Sequence, residues 1–483
     1  MVIDALKYQI LQQFGFVPTE EQGQALDAFA RFLTDRDPDA VMILRGSAGT
    51  GKTSLSGAIV RTLKAIRQKV MLLAPTGRAA KVFSLNSGCP AYTIHHRIYR
   101  EKSFAGVDGQ FKLNDNLFTD TLFMVDEASM ISNLGLGCGN FGSGCLLDDL
   151  VRFVYQGHND RLMLIGDKAQ LPPVGEEESP ALNRMMLEGY GLKVYECDLN
   201  EVLRQSQESG ILYNATVIRQ MITHDDITQL PLIRFKGFAD IVMMPGNELV
   251  ESLANSYYRV GQDETMVITR SNKRANIYNN GIRNMVLDRE EELSCGDMLM
   301  IVKNNYFWTE KERNEAKEAL NAIPPFLANG DRAKVLRVSR HMELYGFRFA
   351  TLLLQFPDYD NYEMSVTALL DTLQSEAPAL THEQQEQLFH GVEEDYQDVP
   401  LKADRMKAIR GDQYFNALQV KYAYAITCHK AQGGQWEHVY VDQGYMTDDM
   451  LTPDYIHWLY TAFTRAKDKL FLVNWPKTQT EQA

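Results

Sequence analysis

One stretch of the sequence has the residue types and the spacing that suit binding of a nucleoside triphosphate. Residues 46–53 read Gly-Ser-Ala-Gly-Thr-Gly-Lys-Thr, and glycines let successive backbone N–H groups curl around phosphate oxygens without an obstructing side chain. Lys52 can reach the β- and γ-phosphates, and Thr53 can offer its hydroxyl to Mg²⁺. An apolar segment precedes this loop and an amphipathic helix follows it, so the positive end of the helix points at the anion. The predicted nucleotide contacts of the loop are Gly46, Gly49, Thr50, Gly51, Lys52, Thr53 and Ser54.

Two adjacent acids, Asp126 and Glu127, follow the apolar segment 122–125. Most such pairs are solvated surface acids, but these stand at the end of a predicted buried strand downstream of a phosphate loop. Asp126 is therefore expected beside the Mg²⁺, and Glu127 is expected to orient and deprotonate the attacking water. The guanine-reading pattern Asn-Lys-x-Asp does not occur, since residues 271–274 read Ser-Asn-Lys-Arg. The sequence therefore favours ATP.

Short apolar runs predict the elements that hold these residues. They alternate with helical segments, as in parallel sheets that are covered on both faces. Helical periodicity also covers most of the first forty residues. The runs of a first sheet are 41–44, 70–73, 122–125, 162–165 and 194–195. The runs of a second sheet are 265–269, 420–426, 439–441 and 470–473.

The pattern changes between residues 285 and 402, which we interpret as an insertion. Segments 297–302, 333–338 and 347–356 read as antiparallel strands of a small barrel. The stretch 357–398 carries eleven acids and no Lys or Arg. A solvated face is the ordinary interpretation of such a stretch, and a partner-binding arm or an internal mimic of DNA are the alternatives.

Composition sets outer limits on the class of protein. The chain has 483 residues, enough for about three domains. Its net charge is −14, from 49 basic and 63 acidic residues. This argues against a protein that coats polyanions over its whole surface, but not against a local basic channel. The sequence has no apolar run long enough to span a membrane. Its six cysteines show no metal-ligand spacing, and we expect reduced thiols in a cytoplasmic protein.

Six further segments occur in a fixed order with the phosphate loop and the acid pair. Together these eight segments resemble the motifs of superfamily 1 DNA helicases, most closely those of the RecD/Dda-like (5′→3′) branch. The resemblance as a whole extends from Gln22 to Arg465. The six segments are 74–80 (Ala-Pro-Thr-Gly-Arg-Ala-Ala), 93–95 (Thr-Ile-His), 166–175 (Gly-Asp-Lys-Ala-Gln-Leu-Pro-Pro-Val-Gly), 202–205 (Val-Leu-Arg-Gln), 427–434 (Thr-Cys-His-Lys-Ala-Gln-Gly-Gly) and 460–466 (Tyr-Thr-Ala-Phe-Thr-Arg-Ala).

The resemblance implies further roles for single residues. It implies that Gln22 reads adenine, that Gln170 senses the γ-phosphate, and that Arg204 and Arg465 reach across a cleft to the phosphates. It also supports the roles of Lys52, Asp126 and Glu127 in catalysis. The residues that it places on single-stranded DNA are Thr76, Arg78, His95, Thr427 and His429. Lys421 and Lys430 are further candidates for the floor of a DNA channel.

The implied fold is α/β, with two RecA-like P-loop domains, a small hairpin module and an inserted SH3-like β-barrel. Residues 103–114 read as a hairpin around Asp108-Gly109. In it Phe104 and Leu113 are expected to pair across the strands as a strand-separating pin, with an ordinary surface hairpin as the alternative. The expected units are N-terminal helices at 1–36, a first RecA-like domain at 37–200 with the pin module at about 97–119, a second RecA-like domain at 201–284 and 403–483, and the insertion at 285–402.

We therefore expect an ATP- and Mg²⁺-dependent helicase that moves 5′→3′ on single-stranded DNA and separates strands at duplex junctions. Its motor is expected to be monomeric and without a membrane partner; the sequence leaves protein partners and the choice of DNA or RNA open. A DNA-stimulated ATPase switch or remodeller that does not unwind is the alternative. A binding module with an inactive motor is a second one, and Lys52, Asp126, Glu127 and Arg465 argue against it. Two departures from the resemblance are a loop with five glycines at 133–145 and the pair Gly434-Gln435.

Overall fold

A computed structural model of the chain describes residues 2–104, 109–135, 142–201, 208–224, 228–315, 323–324 and 326–481. In the first part of the chain the elements are α1 (Val2–Phe14), α2 (Glu20–Thr34), β1 (Ala40–Gly46), α3 (Lys52–Ala65), β2 (Lys69–Ala74), α4 (Gly77–Ser87), β3 (Ala91–Thr93), α5 (Ile94–Ile98), β4 (Tyr99–Phe104), β5 (Gly109–Leu113), β6 (Thr121–Val125), α6 (Leu146–Tyr155), β7 (Arg161–Gly166), α7 (Arg184–Gly189) and β8 (Lys193–Leu199).

From residue 208 onward the elements are α8 (Gly210–Thr223), β9 (Ile241–Met244), α9 (Leu249–Arg259), β10 (Thr265–Thr269), α10 (Asn272–Gly281), β11 (Met298–Ile301), α11 (Phe307–Glu315), β12 (Arg332–Leu344), β13 (Phe347–Phe356), β14 (Tyr362–Leu369), α12 (His382–Asp395), α13 (Lys402–Arg410), β15 (Leu418–Tyr422), β16 (Ala425–Thr427), α14 (Cys428–Ala431), β17 (Trp436–Asp442), α15 (Pro453–Phe463) and β18 (Ala466–Val473). Among the described residues no helix is long and apolar enough to cross a membrane.

The first domain is built on a parallel sheet with the strand order β3-β2-β6-β7-β1-β8. Every residue of β1, β6 and β7 is buried, because helices cover both faces. In β1, Met42 and Leu44 pack on the side of α1, α2 and α3, whereas Val41 and Ile43 pack on the side of α5 and α6. The continuous apolar runs in the sequence are therefore strands whose alternate residues enter two different cores.

The order of these strands places the predicted site. The strands β6, β7 and β1 are neighbours in the sheet and run in the same direction. The acid pair follows β6, the segment 166–171 starts at the end of β7, and the phosphate loop follows β1. Since the carboxyl ends of parallel strands meet at one edge, the fold brings these three segments together there.

A second parallel sheet, with the order β16-β10-β17-β18-β9, forms the second domain. The strands β11 to β15 form a closed barrel. The predicted α/β fold with two RecA-like domains and an inserted barrel is thus confirmed. Part of the acidic stretch belongs to this barrel as β14 and part forms α12, whose first turn carries a capping box.

One predicted strand, 420–426, is wrong as a single element. Its first half is β15, which closes the barrel, and its second half is β16, which joins the second sheet. The chain changes partner at Tyr424 and Ala425, whose N–H groups both donate to the Oδ1 of Asn279 (3.0 and 2.8 Å). Residues 420–426 are all buried, and Lys421 is the only charged residue among them, so hydrophobic periodicity gives no sign of the break. The barrel consequently extends beyond the predicted end at residue 402.

The hairpin of the first domain has a different register from the predicted one. β4 and β5 pair as antiparallel strands, with Tyr99 opposite Leu113 and Phe104 opposite Gly109. The prediction that Phe104 and Leu113 face each other is therefore wrong, because the hairpin is centred before Asp108-Gly109 and contains a register shift between Glu101 and Ser103. Leu113 packs against the core of the first domain. Phe104 stands at the far end, and Asp108 of the predicted turn lies outside the described residues.

Carboxylates hold both ends of the glycine-rich loop at 133–145. Glu176 Oε1 accepts hydrogen bonds from the N–H groups of Asn133 (2.7 Å) and Leu134 (3.0 Å). At the other end, Asp149 Oδ2 accepts from the N–H of Ser143 (2.9 Å). Residues 136–141 of this loop lie outside the described residues.

A buried ionic cluster joins the barrel to the second domain. Asp297, which directly precedes β11 and is fully buried, accepts from Arg283 Nε and Nη2 (both 3.1 Å) and from Arg289 Nη1 (2.8 Å). The Tyr424 hydroxyl also donates to Asp297 Oδ1 (2.9 Å). One carboxylate is thus shared by two arginines in an environment where an unpaired charge would be costly.

Replacing Asp297 by Ala should lower the free energy of unfolding by about 3–5 kcal/mol, because Arg283 would remain buried without its counter-charge. Urea unfolding followed by fluorescence measures this loss. Glu188→Ala is the control, since it removes a half-exposed i,i+4 partner of Arg184 and should cost below about 1 kcal/mol. Equal costs for the two variants would contradict the role of the cluster.

Candidate nucleotide site between the two domains

A cavity of about 750 Å³ lies between the first and second domains. It is wide enough for a nucleotide, since ligand cavities usually measure about 300–1,000 Å³. The first domain contributes the phosphate loop and the ends of β6 and β7, and the second domain contributes residues next to α14 and α15. The predicted site residues that line it are Gly49, Gly51, Lys52, Thr53, Ser54, Arg78, Asp126, Glu127, Gln170 and Arg465.

The phosphate loop has the backbone shape that the sequence predicted. Gly49 and Gly51 have φ values of +78° and +76°, in the left-handed region where a side chain is strained. The helix α3 begins at Lys52 directly after the loop, so its first N–H groups face the cavity. The Lys52 ammonium donates to the carbonyl of Gly46 (2.8 Å), which holds the cation across the mouth of the loop.

Gln22 does not line the cavity, although the resemblance placed it on adenine. It is only 1% exposed, and its Nε2 donates to the carbonyl of Thr50 (2.9 Å). Its Oε1 accepts from the N–H of Thr19, as the third residue of the capping box of α2. Both ends of the amide are therefore used inside the protein, and Gln22 supports the phosphate loop from behind.

The acid pair lies at the edge of the first sheet, where two carboxyl groups stand next to each other with Lys52 nearby. Burial and the neighbouring Glu127 raise the pKa of Asp126 to about 6, against the opposing effect of Lys52. Glu127 has a φ of +52°, which is rare for a residue with a side chain and costs about 1–3 kcal/mol. Its Oε2 is buried and has no hydrogen-bond partner among the described residues, and the same holds for Gln170 Oε1. Buried polar atoms without partners point to atoms that a ligand satisfies.

The oxygen donors at this edge fit Mg²⁺. Thr53 and Asp126 both line the cavity and offer a hydroxyl and a carboxylate, which hard cations prefer. Within the described part of the chain no three His, Cys, Asp or Glu residues cluster as metal ligands. This also suits Mg²⁺, which is usually held by few protein ligands together with phosphate oxygens and water.

The second domain holds the backbone on both sides of Gln170. The helix α15 contacts the residue before and the residue after it, and Gln432, next to α14, adds a third contact. The hydrogen bonds are His457 Nδ1 to Ala169 O (2.9 Å), Leu171 N–H to Thr461 Oγ1 (2.8 Å) and Gln432 Nε2 to Leu171 O (2.7 Å). These contacts were not predicted from the sequence. The residue types at 457–461 give no sign that these side chains contact a segment almost 290 residues away.

Arg465 lines the cavity but donates within its own domain. It is 3% exposed, with Nε on the carbonyl of Thr461, Nη1 on the carbonyl of Gly434 and Nη2 on Thr464 Oγ1, all at 3.1 Å. The expected reach across the cleft is thus not seen in this structure, since backbone carbonyls of the second domain satisfy the guanidinium. Arg204, the other predicted arginine, lies outside the described residues.

The residues expected on single-stranded DNA have different surroundings in the structure. Thr76 caps α4 by accepting from the N–H of Ala79 (3.2 Å). Arg78 stacks on the Trp436 ring at 4.4 Å and donates to the carbonyl of Gln435 (3.1 Å), so it bridges the two domains. The role of Arg78 as a DNA contact stays a prediction, and any such contact would compete with this bridge.

The other predicted DNA contacts differ in exposure. Thr427 is half-buried at the start of α14, and His429 is exposed beside it. The ring of His95 packs 5.7 Å from that of Tyr99, and burial lowers the pKa of His95 to about 4, so its imidazole is neutral at pH 7.

The two candidate lysines of the channel floor also differ from each other. Lys421 is 5% exposed and donates to the carbonyl of Ser375, so it is wrong as a floor residue. The Lys430 ammonium has no partner among the described residues. Burial and then Lys421 lower the pKa of Lys430 to about 8, so a phosphate beside it would stabilise its charge.

Comparison with known proteins assigns the parts of the chain. A family model described as AAA domain matches residues 19–220, and one described as UvrD-like helicase C-terminal domain matches residues 422–473. The ATP-dependent RecD2 DNA helicase of Deinococcus radiodurans is 29% identical over 157 residues, which are 32% of this chain and 18% of that protein. An uncharacterized protein of Methanocaldococcus jannaschii is 34% identical over 173 residues, or 33% and 14% of the two chains.

These matches therefore cover less than a fifth of the length of either relative. A crystal structure of Pif1 helicase from Bacteroides in complex with ADP-AlF3 and single-stranded DNA is similar with a TM-score of 0.47 and 14% identity, covering 97% of this chain and 95% of that one.

The fold and the cavity define a P-loop NTPase with two RecA-like domains that share one site. The two family models match the two halves of this arrangement, and RecD2 matches part of the chain in sequence. These matches agree with the resemblance of the ordered motifs to superfamily 1 helicases.

Replacing Glu127 by Gln should leave ATP binding intact and lower the turnover number by about 10²–10⁴-fold, the usual contribution of a general base. Lys52→Ala should remove turnover as well, because the phosphates lose their cation in the loop. Fluorescent-nucleotide binding and phosphate release measure the two steps. Glu188→Gln, which alters a half-exposed acid that is not among the lining residues of the cavity, is the control and should hydrolyse ATP normally. Normal turnover of the Glu127 variant would exclude the water-activating role.

Proposed function

We propose that this chain hydrolyses ATP between its RecA-like domains and uses the cycle to move 5′→3′ along single-stranded DNA, separating strands at duplex junctions. One observation carries the proposal: a single nucleotide-sized cavity is lined by the phosphate loop and acid pair of one domain and by Arg465 of the other. Because both domains contact the nucleotide, its hydrolysis and release change the contacts between the domains, and the domains move relative to each other. The RecD2 relative is named as an ATP-dependent DNA helicase, which supports ATP and DNA as the ligands.

The residues of the first domain suit binding and water activation. The loop N–H groups and Lys52 bind the β- and γ-phosphates, and Glu127, whose Oε2 is unpaired, accepts a proton from the attacking water. Thr53 and Asp126 hold Mg²⁺, which when bound offsets negative charge on the phosphate oxygens.

Closure of the cleft then brings the arginine to the phosphates. Thr461 links two parts of the site, because its Oγ1 accepts from the N–H of Leu171 while its carbonyl accepts from Arg465 Nε. A shift of Gln170 towards a γ-phosphate therefore moves α15 and with it Arg465. In the closed state the guanidinium exchanges its backbone carbonyls for phosphate oxygens, where charge develops in the transition state.

DNA is expected to bind across both domains. Exposed His429 and the partnerless ammonium of Lys430 are the positions of the second domain that favour a phosphate backbone. The net charge of −14 restricts this attraction to local positive patches, and binding should weaken steeply with salt. The motor acts as a monomer, since one chain supplies both walls of the cavity.

The experiment that tests the proposal compares ATP hydrolysis with and without a single-stranded oligonucleotide, and strand displacement from duplexes with a 5′ or a 3′ overhang. Stimulation by the oligonucleotide together with displacement from the 5′ overhang alone is expected. Stimulated hydrolysis without displacement would identify an ATPase switch or remodeller. Displacement from the 3′ overhang would overturn the polarity, and hydrolysis that ignores DNA would overturn the proposal.

Arg465→Ala should bind ATP nearly as well as the natural chain and lose turnover by about 10³-fold or more, as expected of an arginine finger in cis. Since Arg465 now donates to Thr461 and Gly434 of its own domain, thermal melting should show whether the variant keeps its fold. Arg465→Lys is the matched variant, because it keeps the charge and loses the planar fork. A large loss of ATP affinity with normal turnover would mark a ground-state contact instead.

Replacing residues 104–109 by a short Gly-Ser turn should leave DNA-stimulated hydrolysis largely intact and remove strand displacement. The reason is that the hairpin base, with Leu113 packed in the core, would stay in place while the far end that faces a junction is lost. Each step must offset base-pair stacking of about 1.4 kcal/mol, which a motor without a wedge can do only by waiting for fraying. Parallel hydrolysis and displacement assays on one preparation measure both activities. Unchanged displacement would place the wedge elsewhere.

A further inference from the structure

A tyrosine of the second domain makes two hydrogen bonds inside the nucleotide site of the first. The hydroxyl of Tyr460, in the helix α15, accepts from the backbone N–H of Ala48 (3.0 Å) and donates to Asp167 Oδ2 (2.7 Å). Tyr460 is 1% exposed and Asp167 is 3% exposed. The hydroxyl therefore ties together two segments of the first domain from across the cleft.

The two partners of Tyr460 belong to the two segments that would contact a γ-phosphate. Ala48 is the third residue of the phosphate loop and lines the cavity. Asp167 opens the segment that carries Gln170, and its Oδ1 accepts from the N–H of Ala169 (2.9 Å), which shapes the turn before Gln170. The two oxygens of Asp167 therefore have different tasks. Oδ1 holds the turn before Gln170, and Oδ2 is connected to the phosphate loop through the hydroxyl of Tyr460.

The hydroxyl suits this task because it stays protonated. Burial and the charge of Asp167 raise the pKa of Tyr460 well above its ordinary value. A neutral hydroxyl has one proton to donate and lone pairs with which to accept, and here it gives the proton to the carboxylate and accepts from the N–H. Removing only this oxygen would leave a half-buried N–H and a buried carboxylate oxygen each short of a partner, which is costly for the carboxylate above all.

We propose that Tyr460 is a positioning residue that fixes the phosphate loop and the Gln170 segment relative to each other when the second domain is docked. This inference rests on the proposed function, because it assigns Tyr460 a part in the ATPase cycle of the same site. Tyr460 acts on the site through its hydrogen bonds to Ala48 and Asp167. In the sequence, Tyr460 stands as the first residue of the segment 460–466, and no role was expected for it.

The first measurement reads the contact directly, in the absence of nucleotide. Hydrogen–deuterium exchange of the peptide that contains Ala48 should become about fivefold faster in Tyr460→Phe. This is the change expected when the hydrogen bond from the Ala48 N–H to the hydroxyl is lost. Tyr455→Phe is the matched control: it removes a buried hydroxyl from the same helix, but that hydroxyl donates to Gln443 of its own domain. Exchange at Ala48 should be unchanged there.

The second measurement reads catalysis. Tyr460→Phe should bind a fluorescent ATP analogue within about twofold of the natural chain, while its DNA-stimulated kcat falls by about tenfold or more, the size of a lost charge-assisted hydrogen bond. Asp167→Asn combined with Tyr460→Phe should lose little more than either change alone, because both remove the same link. Tyr455→Phe should keep its kcat.

Each outcome decides the inference. Faster exchange together with a fall in kcat at constant affinity supports it. Faster exchange with normal kcat shows a merely structural contact and overturns it, as do equal losses in Tyr460→Phe and Tyr455→Phe. A natural chain that hydrolyses no ATP would instead overturn the proposed function, whereas an active natural chain with an unaffected Tyr460 variant overturns this inference alone.

Discussion

All the strands of a parallel sheet point their carboxyl ends at the same edge, and the chemistry of this protein depends on that constraint. An acid pair, the segment that carries Gln170 and the phosphate loop follow three neighbouring strands, β6, β7 and β1. They therefore lie side by side along one edge of the sheet. None of these segments needs a neighbour in sequence to find the others. The second sheet obeys the same rule, so α14 and α15, which each follow a strand of that sheet, meet the first domain at the cavity.

Ala169 and Leu171 of the first domain pack in the apolar cluster of the second domain. The polar contacts described across the cleft are hydrogen bonds to backbone atoms at Ala48, Ala169 and Leu171, a hydrogen bond to the side chain of Asp167, and an arginine stacked on Trp436. Such contacts can be exchanged for contacts with a ligand at small net cost, because each donor finds a new acceptor. A broad apolar interface would hold the domains together more firmly and would oppose the opening that a cycle requires.

Sequence reasoning predicted well those parts whose local pattern determines their structure. The phosphate loop needs glycines where φ is positive, and fully buried strands need continuous apolar runs, so both could be read from residue types. It failed where a tertiary partner decides. Gln22 supports the phosphate loop because its amide is hydrogen-bonded to the backbone of Thr19 in the capping box and to the carbonyl of Thr50. The run 420–426 divided because Asn279 bonds the chain at the turn, and the strands β3 and β9 were too short to recognise.

The junction at Tyr424 has a mechanical consequence. The chain passes from the barrel into the second sheet through residues that are buried and bonded to Asn279, and the Asp297 cluster fastens the neighbouring strand β11 to the same domain. Two adjacent strands of the barrel are thus tied to the second sheet. A rotation of the second domain would then carry the barrel with it, as one rigid arm.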